Sequence, residues 1–584
     1  MAVHDPRRGA VGLAQDRHPW LLCVLDAGRA DGGRRWASRP SASVGRSEAV
    51  RDRPARPHRD PGRLLDSRPR PHVQPLHDRA RRRPRTDELP LPSRAGAGSS
   101  DVSSLRRILR DVAIVSSGQV VTWLATFLFV LAQARSLGPA SFGELSLALS
   151  YATFFAVVVD FGVSTYLTRA VAQRENAERA VLWTAVTTRA ALWLIAMPLA
   201  WLATMVLGYE AELQATTLIL VGSLLFVGSS GALTAFYQGK ERFLLPTLAN
   251  IVQRVAAAIV GILVLQAGLG VISVAVVYAI SAAFALILLA AGLRGTGLLR
   301  IRVEPRANWR LVRSVLPIAI YWVAGTLYFN VDMVLIERLM PREALGNYAA
   351  AYRLFSAAAI LPAIVCGTVL YPMYARLSGA SSAALRPVVQ KTIAYLALAG
   401  ILVAVVFVSL ASPIVGLLYP LPAYAPAASA LRLLAPGLFF LYVNSVLGSA
   451  LFALRLERRL VLIATTAAGL NTIANLALIP VFGIEAAAAI TSLTEIFLFG
   501  CLLVASPRGL VGSASRRFAT RAALVGGVTA LALLPLTPAP IAISAPLGAL
   551  VFGGACLLFR ALPADDLRLA TALLRGRIAA RRLG

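Results

Sequence analysis

Between Val112 and Leu562 the chain is a succession of about fourteen apolar stretches. Each is close to the roughly 20 residues that a helix needs to cross the hydrocarbon core at 1.5 Å per residue. The spans read as 112 to 134, 144 to 168, 181 to 207, 213 to 237, 244 to 267, 269 to 293, 311 to 335, 345 to 372, 388 to 410, 428 to 452, 459 to 481, 484 to 505, 518 to 538 and 541 to 561. With 57% of the chain hydrophobic and 15% charged, no single soluble core could bury so many uniformly apolar helices. The fold class is therefore an all-α polytopic membrane protein.

The basic residues between the spans set its orientation. The second, fourth, sixth, eighth, tenth and twelfth gaps carry Arg169, Arg174 and Arg179; Lys240 and Arg242; Arg294, Arg300, Arg302, Arg306, Arg310 and Arg313; Arg376, Arg386 and Lys391; Arg455, Arg458 and Arg459; and Arg508, Arg516, Arg517 and Arg521. The odd gaps offer only Arg135, Arg338 and Arg342. By the positive-inside rule the even gaps and both termini face the cytoplasm, with the basic end Arg575, Arg577, Arg581 and Arg582 on the same side. A multi-pass protein of the cytoplasmic (inner) cell membrane follows.

Residues 1–101 differ in kind. They are rich in Arg, Pro, Asp and His, and their apolar run from Trp20 to Leu25 is too short for a signal-peptide core or a span. The run Arg79 to Arg85 is nearly all arginine, which suits a basic arm on nucleic acid or anionic lipid. The plainer reading is preferred: a solvated, disordered leader, or sequence translated from an upstream start, with Val102 as the true initiator. Arginine outnumbers lysine throughout, as in GC-rich bacterial genomes, where open upstream frames are common. Because most of the net charge of +29 lies in this leader and in cytoplasmic loops, it reports topology, and no nucleic-acid partner is expected.

An internal repeat is legible. The first span leads into Arg135-Ser-Leu-Gly-Pro-Ala-Ser-Phe-Gly143 and the seventh into Arg338-Leu-Met-Pro-Arg-Glu-Ala-Leu-Gly346. Both place an Arg eight residues before a Gly that opens the next helix, with a Pro in the turn, and Gly143 and Gly346 are expected to permit a sharp re-entry. Leu269-Gly270-Val271-Ile272 and Phe482-Gly483-Ile484-Glu485 echo each other in the same way. The expected organisation is a leader (1–101), a six-helix lobe (102–300), a second six-helix lobe (301–505), and two extra helices with a basic tail (506–584). Units with an even number of spans enter the membrane in the same orientation, like the parallel-repeat transporters that rock about a central cavity. A duplicated scaffold without transport is the alternative.

The run Arg135 to Glu144, followed by Asp160-Phe-Gly-Val163 and Thr168-Arg169, resembles the start of polysaccharide-biosynthesis proteins, the bacterial flippases of lipid-linked oligosaccharides. So do Tyr328-Phe-Asn-Val-Asp-Met-Val-Leu335, Leu345-Gly-Asn-Tyr-Ala-Ala-Ala-Tyr-Arg353 and Asn475-Leu-Ala-Leu-Ile-Pro-Val-Phe-Gly-Ile484. The resemblance covers residues 105 to 560 and implies the multidrug, oligosaccharidyl-lipid and polysaccharide exporter superfamily, whose fold is two six-helix lobes, often with two extra helices.

A flippase moves sugar and phosphate through a medium hostile to both, so ionisable residues in mid-span are its first candidates. They are Asp160, Arg189, Arg254, Asp332, Arg353, Arg432 and Glu495. Arg189, Arg254, Arg353 and Arg432, with the amide Asn330, form the candidate substrate-binding set, because a guanidinium's paired donors match phosphate oxygens. Asp160, Asp332 and Glu495 are candidates for coupling to H⁺ or Na⁺. The structural alternatives are an Asp332–Arg353 pair and an Arg254 that snorkels to the surface. Gln119, Gln253, Asn444, Asn471 and Asn475 read mostly as polar glue between helices.

The membrane region has no histidine, no Gly-rich nucleotide loop and no paired cysteines, so no cofactor, metal or ATPase is expected. The expected activity is transport of an undecaprenyl-diphosphate-linked oligosaccharide rather than catalysis, with the lipid-linked glycan and the bilayer as partners. The alternatives are a lipid II flippase or a drug/cation antiporter of the same superfamily and, in another class, a polytopic glycan polymerase or ligase. Short odd gaps argue against the last.

Overall fold

The computed structural model describes residues 97–173, 178–298, 303–380, 382–536 and 539–561. The expectations for the leader before Ala97, for Arg174, Arg300 and Arg302, and for the basic end Arg575, Arg577, Arg581 and Arg582 lie outside the described residues. Val102 falls inside the first helix.

That helix, α1 (Ala97–Asp160), runs for 64 residues with a break at Gly138, whose φ is 71°. Glycine alone adopts this left-handed conformation without a Cβ penalty, and Pro139 beside it has no N–H to continue the ladder, so two crossings meet here with no loop. Phe161 and Gly162 both have positive φ, 46° and 80°. A right-handed helix cannot pass through them, so the second crossing ends at Asp160 rather than at residue 168 as expected. The chain resumes as the short amphipathic α2 (Val163–Gln173), with Val163, Leu167, Ala170 and Val171 buried.

Four crossings follow: α3 (Glu178–Val206), α4 (Ala211–Gly239), α5 (Leu244–Gln266) and α6 (Val271–Ala291). Next come α7 (Pro305–Leu339) and α8 (Arg342–Ile364). After α8 the helix widens to a π-helical turn (Val365–Leu370) before α9 (Tyr371–Ala380). Pro372 explains the widening, since it lacks the N–H that an α-helical turn would require. The remainder is α10 (Ser382–Leu418), α11 (Ala425–Ala453), α12 (Glu457–Ala505, broken at Gly483 with φ 64°), α13 (Ser513–Leu533) and α14 (Ile541–Leu558).

Eleven helical stretches among the described residues are long and apolar enough to cross a membrane. Two of them, Ile114–Gln173 and Glu457–Ala505, each hold two crossings hinged at Gly138 and Gly483, and α7 adds its apolar run 315–335, which brings the crossings to the expected fourteen. Val504, Leu550 and Ile280 stand 87%, 72% and 64% exposed. Only a hydrocarbon solvent makes such an outer surface stable, and in that solvent helices satisfy their own amides. The protein is multi-pass.

We group α1–α6 as the N-terminal lobe and α7–α12 as the C-terminal lobe, the division proposed from the repeat. The largest apolar cluster joins them, with Phe142, Leu145, Leu345, Tyr348 and Tyr424 all buried in it. A second cluster brings Leu311 and Val315 of α7 against Leu182 and Phe236. A third fastens the last two helices to α10 through Leu398, Ala522, Val525 and Ala555.

The repeat glycines have a different role from the one expected. Neither Gly143 nor Gly346 has a positive φ, so neither makes a sharp turn. They face each other instead: a Cβ on Gly143 would lie 2.7 Å from the Gly346 amide nitrogen, and one on Gly346 would overlap the Pro139 carbonyl. Small residues let helix backbones approach closely in membranes. The second and eighth crossings therefore touch backbone to backbone at one end and diverge from there.

Candidate functional site

The divergence opens a cavity of about 380 Å³ between α1, α7 and α8. From the N-terminal lobe it receives Ser146, Leu149, Ser150 and Thr153, which share one face of α1 by their helical spacing. From the other lobe come Asn330 and Met333 on α7, and Tyr352, Arg353 and Ser356 on α8. Its α8 wall, Tyr352 to Ala363, lies roughly 9 to 26 Å from the Gly346 crossing at 1.5 Å per residue, a range that falls within the thickness of a hydrocarbon core.

Two of the expected substrate-binding residues meet here, Arg353 and Asn330. Arg353 is half-buried, and among the described residues it has neither an ion pair nor a hydrogen-bond partner. Among the described residues no acidic side chain lines the cavity. Asn330 turns its amide back to the Thr326 carbonyl, 2.8 Å away, leaving its side-chain oxygen as an acceptor. Ser150 and Thr153 likewise donate to carbonyls one turn back, Ser146 O at 3.0 Å and Leu149 O at 2.8 Å, so their oxygens remain able to accept. The site thus has one cationic donor and several hydroxyl and amide acceptors on an otherwise apolar and aromatic lining.

Asp332 lies one turn behind the wall, 4% exposed. Its carboxylate accepts from the Tyr348 hydroxyl and, at 2.9 Å, from the Met333 amide. The expected alternative, an Asp332–Arg353 pair, does not form. Tyr348, Tyr352 and Phe355 stack along α8, with centroids 5.7 and 5.6 Å apart, and so link the buried carboxyl to the cavity lining.

The other candidates stand elsewhere. Arg189 is buried in the N-terminal lobe, where it pairs with Asp160 and donates to Ser164 Oγ and the Gly228 carbonyl. Asp160 also accepts from Ser164 Oγ at 2.7 Å and from the Gly162 amide at 3.2 Å. Both residues are therefore engaged in holding α1, α3 and α4 together. Arg254 on α5 is exposed and off the cavity. Arg432 is exposed and donates to Ser412 Oγ at 2.7 Å. Glu495 is 3% exposed and accepts from the Asn444 amide at 2.8 Å. Asn471 donates to Thr494 Oγ1 at 3.1 Å, which ties together the two halves of α12, and Asn475 donates to Asn471 Oδ1 at 2.9 Å, one turn back in the same helix.

Sequence reasoning passed over Ser146, Ser150 and Thr153. Their spacing along one helical face was a signal, but a search for charge does not find hydroxyls.

The profile of the polysaccharide biosynthesis protein family matches residues 108–378, and the MatE profile matches residues 317–477. A search of curated proteins finds no significant match. Among solved structures, the lipid II flippase MurJ in an inward closed conformation superposes with a TM-score of 0.65 at 15% identity, covering 78% of this chain and 99% of that one. An inward-facing multidrug resistance MATE transporter gives 0.53 at 14% identity, over 69% of this chain and 95% of that one. At such identities the likeness is one of fold.

Proposed function

We propose that the chain is a member of the multidrug, oligosaccharidyl-lipid and polysaccharide exporter superfamily, a reading supported by the two family profiles, and that it flips an undecaprenyl-diphosphate-linked oligosaccharide from the cytoplasmic to the outer leaflet by alternating access. The observation that carries this reading is Arg353, a guanidinium without a counter-charge among the described residues, in a cavity between the lobes. An unpaired cation there is costly, and an anionic cargo removes the cost. A diphosphate offers oxygens matched to its paired donors, while Asn330, Ser150 and Thr153 suit sugar hydroxyls. The lipid tail need never leave the bilayer. A cationic drug fits poorly, since no carboxylate among the described residues lines the wall.

In this reading the even gaps and both termini are cytoplasmic and the membrane is the cytoplasmic one. Asp332 is the coupling residue, since Asp160 is taken by Arg189. Its carboxyl, buried with a tyrosine and an amide for partners, takes up a proton or Na⁺ and reports it to the cavity through Tyr348 and Tyr352.

Deleting the gene and asking which leaflet holds the lipid-linked oligosaccharide tests the proposal. Completed units accumulating on the cytoplasmic leaflet, with loss of surface glycan, are expected. Normal glycan and normal intermediates contradict it, and accumulation of lipid II instead would move the assignment to cell-wall precursor.

A further inference from the structure

The three arginines that break the charge rule, Arg135, Arg338 and Arg342, lie together at the Gly143–Gly346 end of the molecule, and each bonds the opposite lobe. Arg135, at the end of the first crossing, donates Nε to the Leu418 carbonyl at 3.0 Å and Nη2 to the Leu417 carbonyl at 2.8 Å. Those carbonyls are the C-terminus of α10, the third crossing of the C-terminal lobe. Arg338, at the end of the seventh crossing, donates to the Leu207 carbonyl, directly after α3, the third crossing of the N-terminal lobe. Its guanidinium also lies 4.8 Å above the Tyr209 ring centroid.

The arrangement is reciprocal. Arg135 and Arg338 occupy the same place in the repeat, each eight residues before its glycine. Each caps the third crossing of the other copy. The last carbonyls of a helix have no partner within the helix and form the negative end of its dipole, so a two-donor cation is suited to them. Arg342 adds ion pairs to Glu144 at 2.9 Å and to Glu210, and the Tyr424 hydroxyl donates to the Ala134 carbonyl at 3.0 Å.

The geometry points to a two-part latch: Arg135 and Arg338 hold the outer face shut by each capping the other lobe's third crossing, and both caps break when the cavity opens outward. The latch rests on the proposed orientation, which makes this face the outer one, but it works on backbone carbonyls, so it is indifferent to the cargo and stands even if the proposed substrate is wrong. Arg342 is secondary. Its side chain is 53% exposed and Glu210 is 67% exposed, so water and salt screen that pair.

Accessibility to thiol reagents tests this without any substrate. The full chain, with Cys23, Cys366, Cys501 and Cys556 changed to alanine and Ser150→Cys in the cavity wall, is labelled in right-side-out membranes with an impermeant maleimide. Both arginines are exposed, so loss of one cation from a helix C-terminus is expected to raise the labelling rate about fivefold in Arg135→Gln or Arg338→Gln, and about 25-fold in the double variant. Arg342→Gln is expected to raise it less than about twofold. Arg135→Lys, which keeps the charge but loses the paired donors, and Arg338→Lys, which keeps the charge but loses the planar guanidinium over Tyr209, are expected to fall between parent and Gln variant. They carry the test should the Gln variants not accumulate. Labelling rates at the parent level in the Gln or Lys variants, with the protein present at the parent amount and thermal midpoint, overturn the latch, as does a rise confined to the inner side.

Discussion

Each lobe carries an arginine and an aspartate in the membrane, and the two lobes use them in opposite ways. In the N-terminal lobe Arg189 and Asp160 are joined, and the guanidinium's further bonds go to Ser164 and Gly228, so both charges are spent on holding helices together. In the C-terminal lobe Arg353 faces the cavity alone, while Asp332 is sealed behind it with Tyr348. The same two residue types yield a brace on one side and a cavity wall on the other. What separates the two outcomes is whether the helix packing lets acid and base meet.

That contrast can be broken at its structural end first. Asp160→Asn leaves Arg189, whose side chain is 3% exposed, without its counter-charge, and is expected to lower stability by about 3 kcal/mol, read as a fall in the thermal midpoint of the purified protein. The cavity side is expected to answer differently. Arg353→Gln removes a guanidinium that has no hydrogen-bond or ion-pair partner among the described residues, so the thermal midpoint should hold, while flipping slows about thirtyfold for the loss of one charged hydrogen bond of about 2 kcal/mol.

The brace is itself asymmetric, which sharpens the comparison. Arg189→Met leaves Asp160, 40% exposed and already served by Ser164 and Gly162, so its cost is expected to be only about 1 kcal/mol. Asp332→Asn is expected to change stability least, by less than about 1 kcal/mol, because the amide oxygen still accepts from Tyr348 or Met333. Its effect should appear as flipping that no longer responds to a pH or Na⁺ gradient, measured with and without the gradient imposed.

The crossings were legible because their length and their arginine bias are properties of single segments. Where two segments must meet, the sequence says less. Asp160 and Arg189 lie 29 residues apart, and only the packing of α1 against α3 shows that they pair. The positive φ of Phe161, which ends the second crossing early, has no signal beyond the glycine that follows it. Gly143 and Gly346 were singled out by the repeat, yet a close approach between lobes rather than a turn explains them. Arg135, Arg338 and Arg342 read as exceptions to a topology rule. Their meaning lies in carbonyls and carboxylates of the opposite lobe. Arg353 was the legible part of the cavity, since a charge in mid-span is conspicuous; the hydroxyl face of Ser146, Ser150 and Thr153 opposite it is not.

The most direct test is transfer in a purified system. The protein is reconstituted into vesicles that carry a polyprenyl-diphosphate-linked oligosaccharide, and arrival of the glycan at the opposite leaflet is followed by an impermeant glycan-binding probe. Transfer by the natural chain, slowed about thirtyfold in Arg353→Gln at an unchanged thermal midpoint, is the expected result. A glycan that stays in its leaflet, or one that crosses equally fast with glutamine at position 353, contradicts a cavity built around that guanidinium.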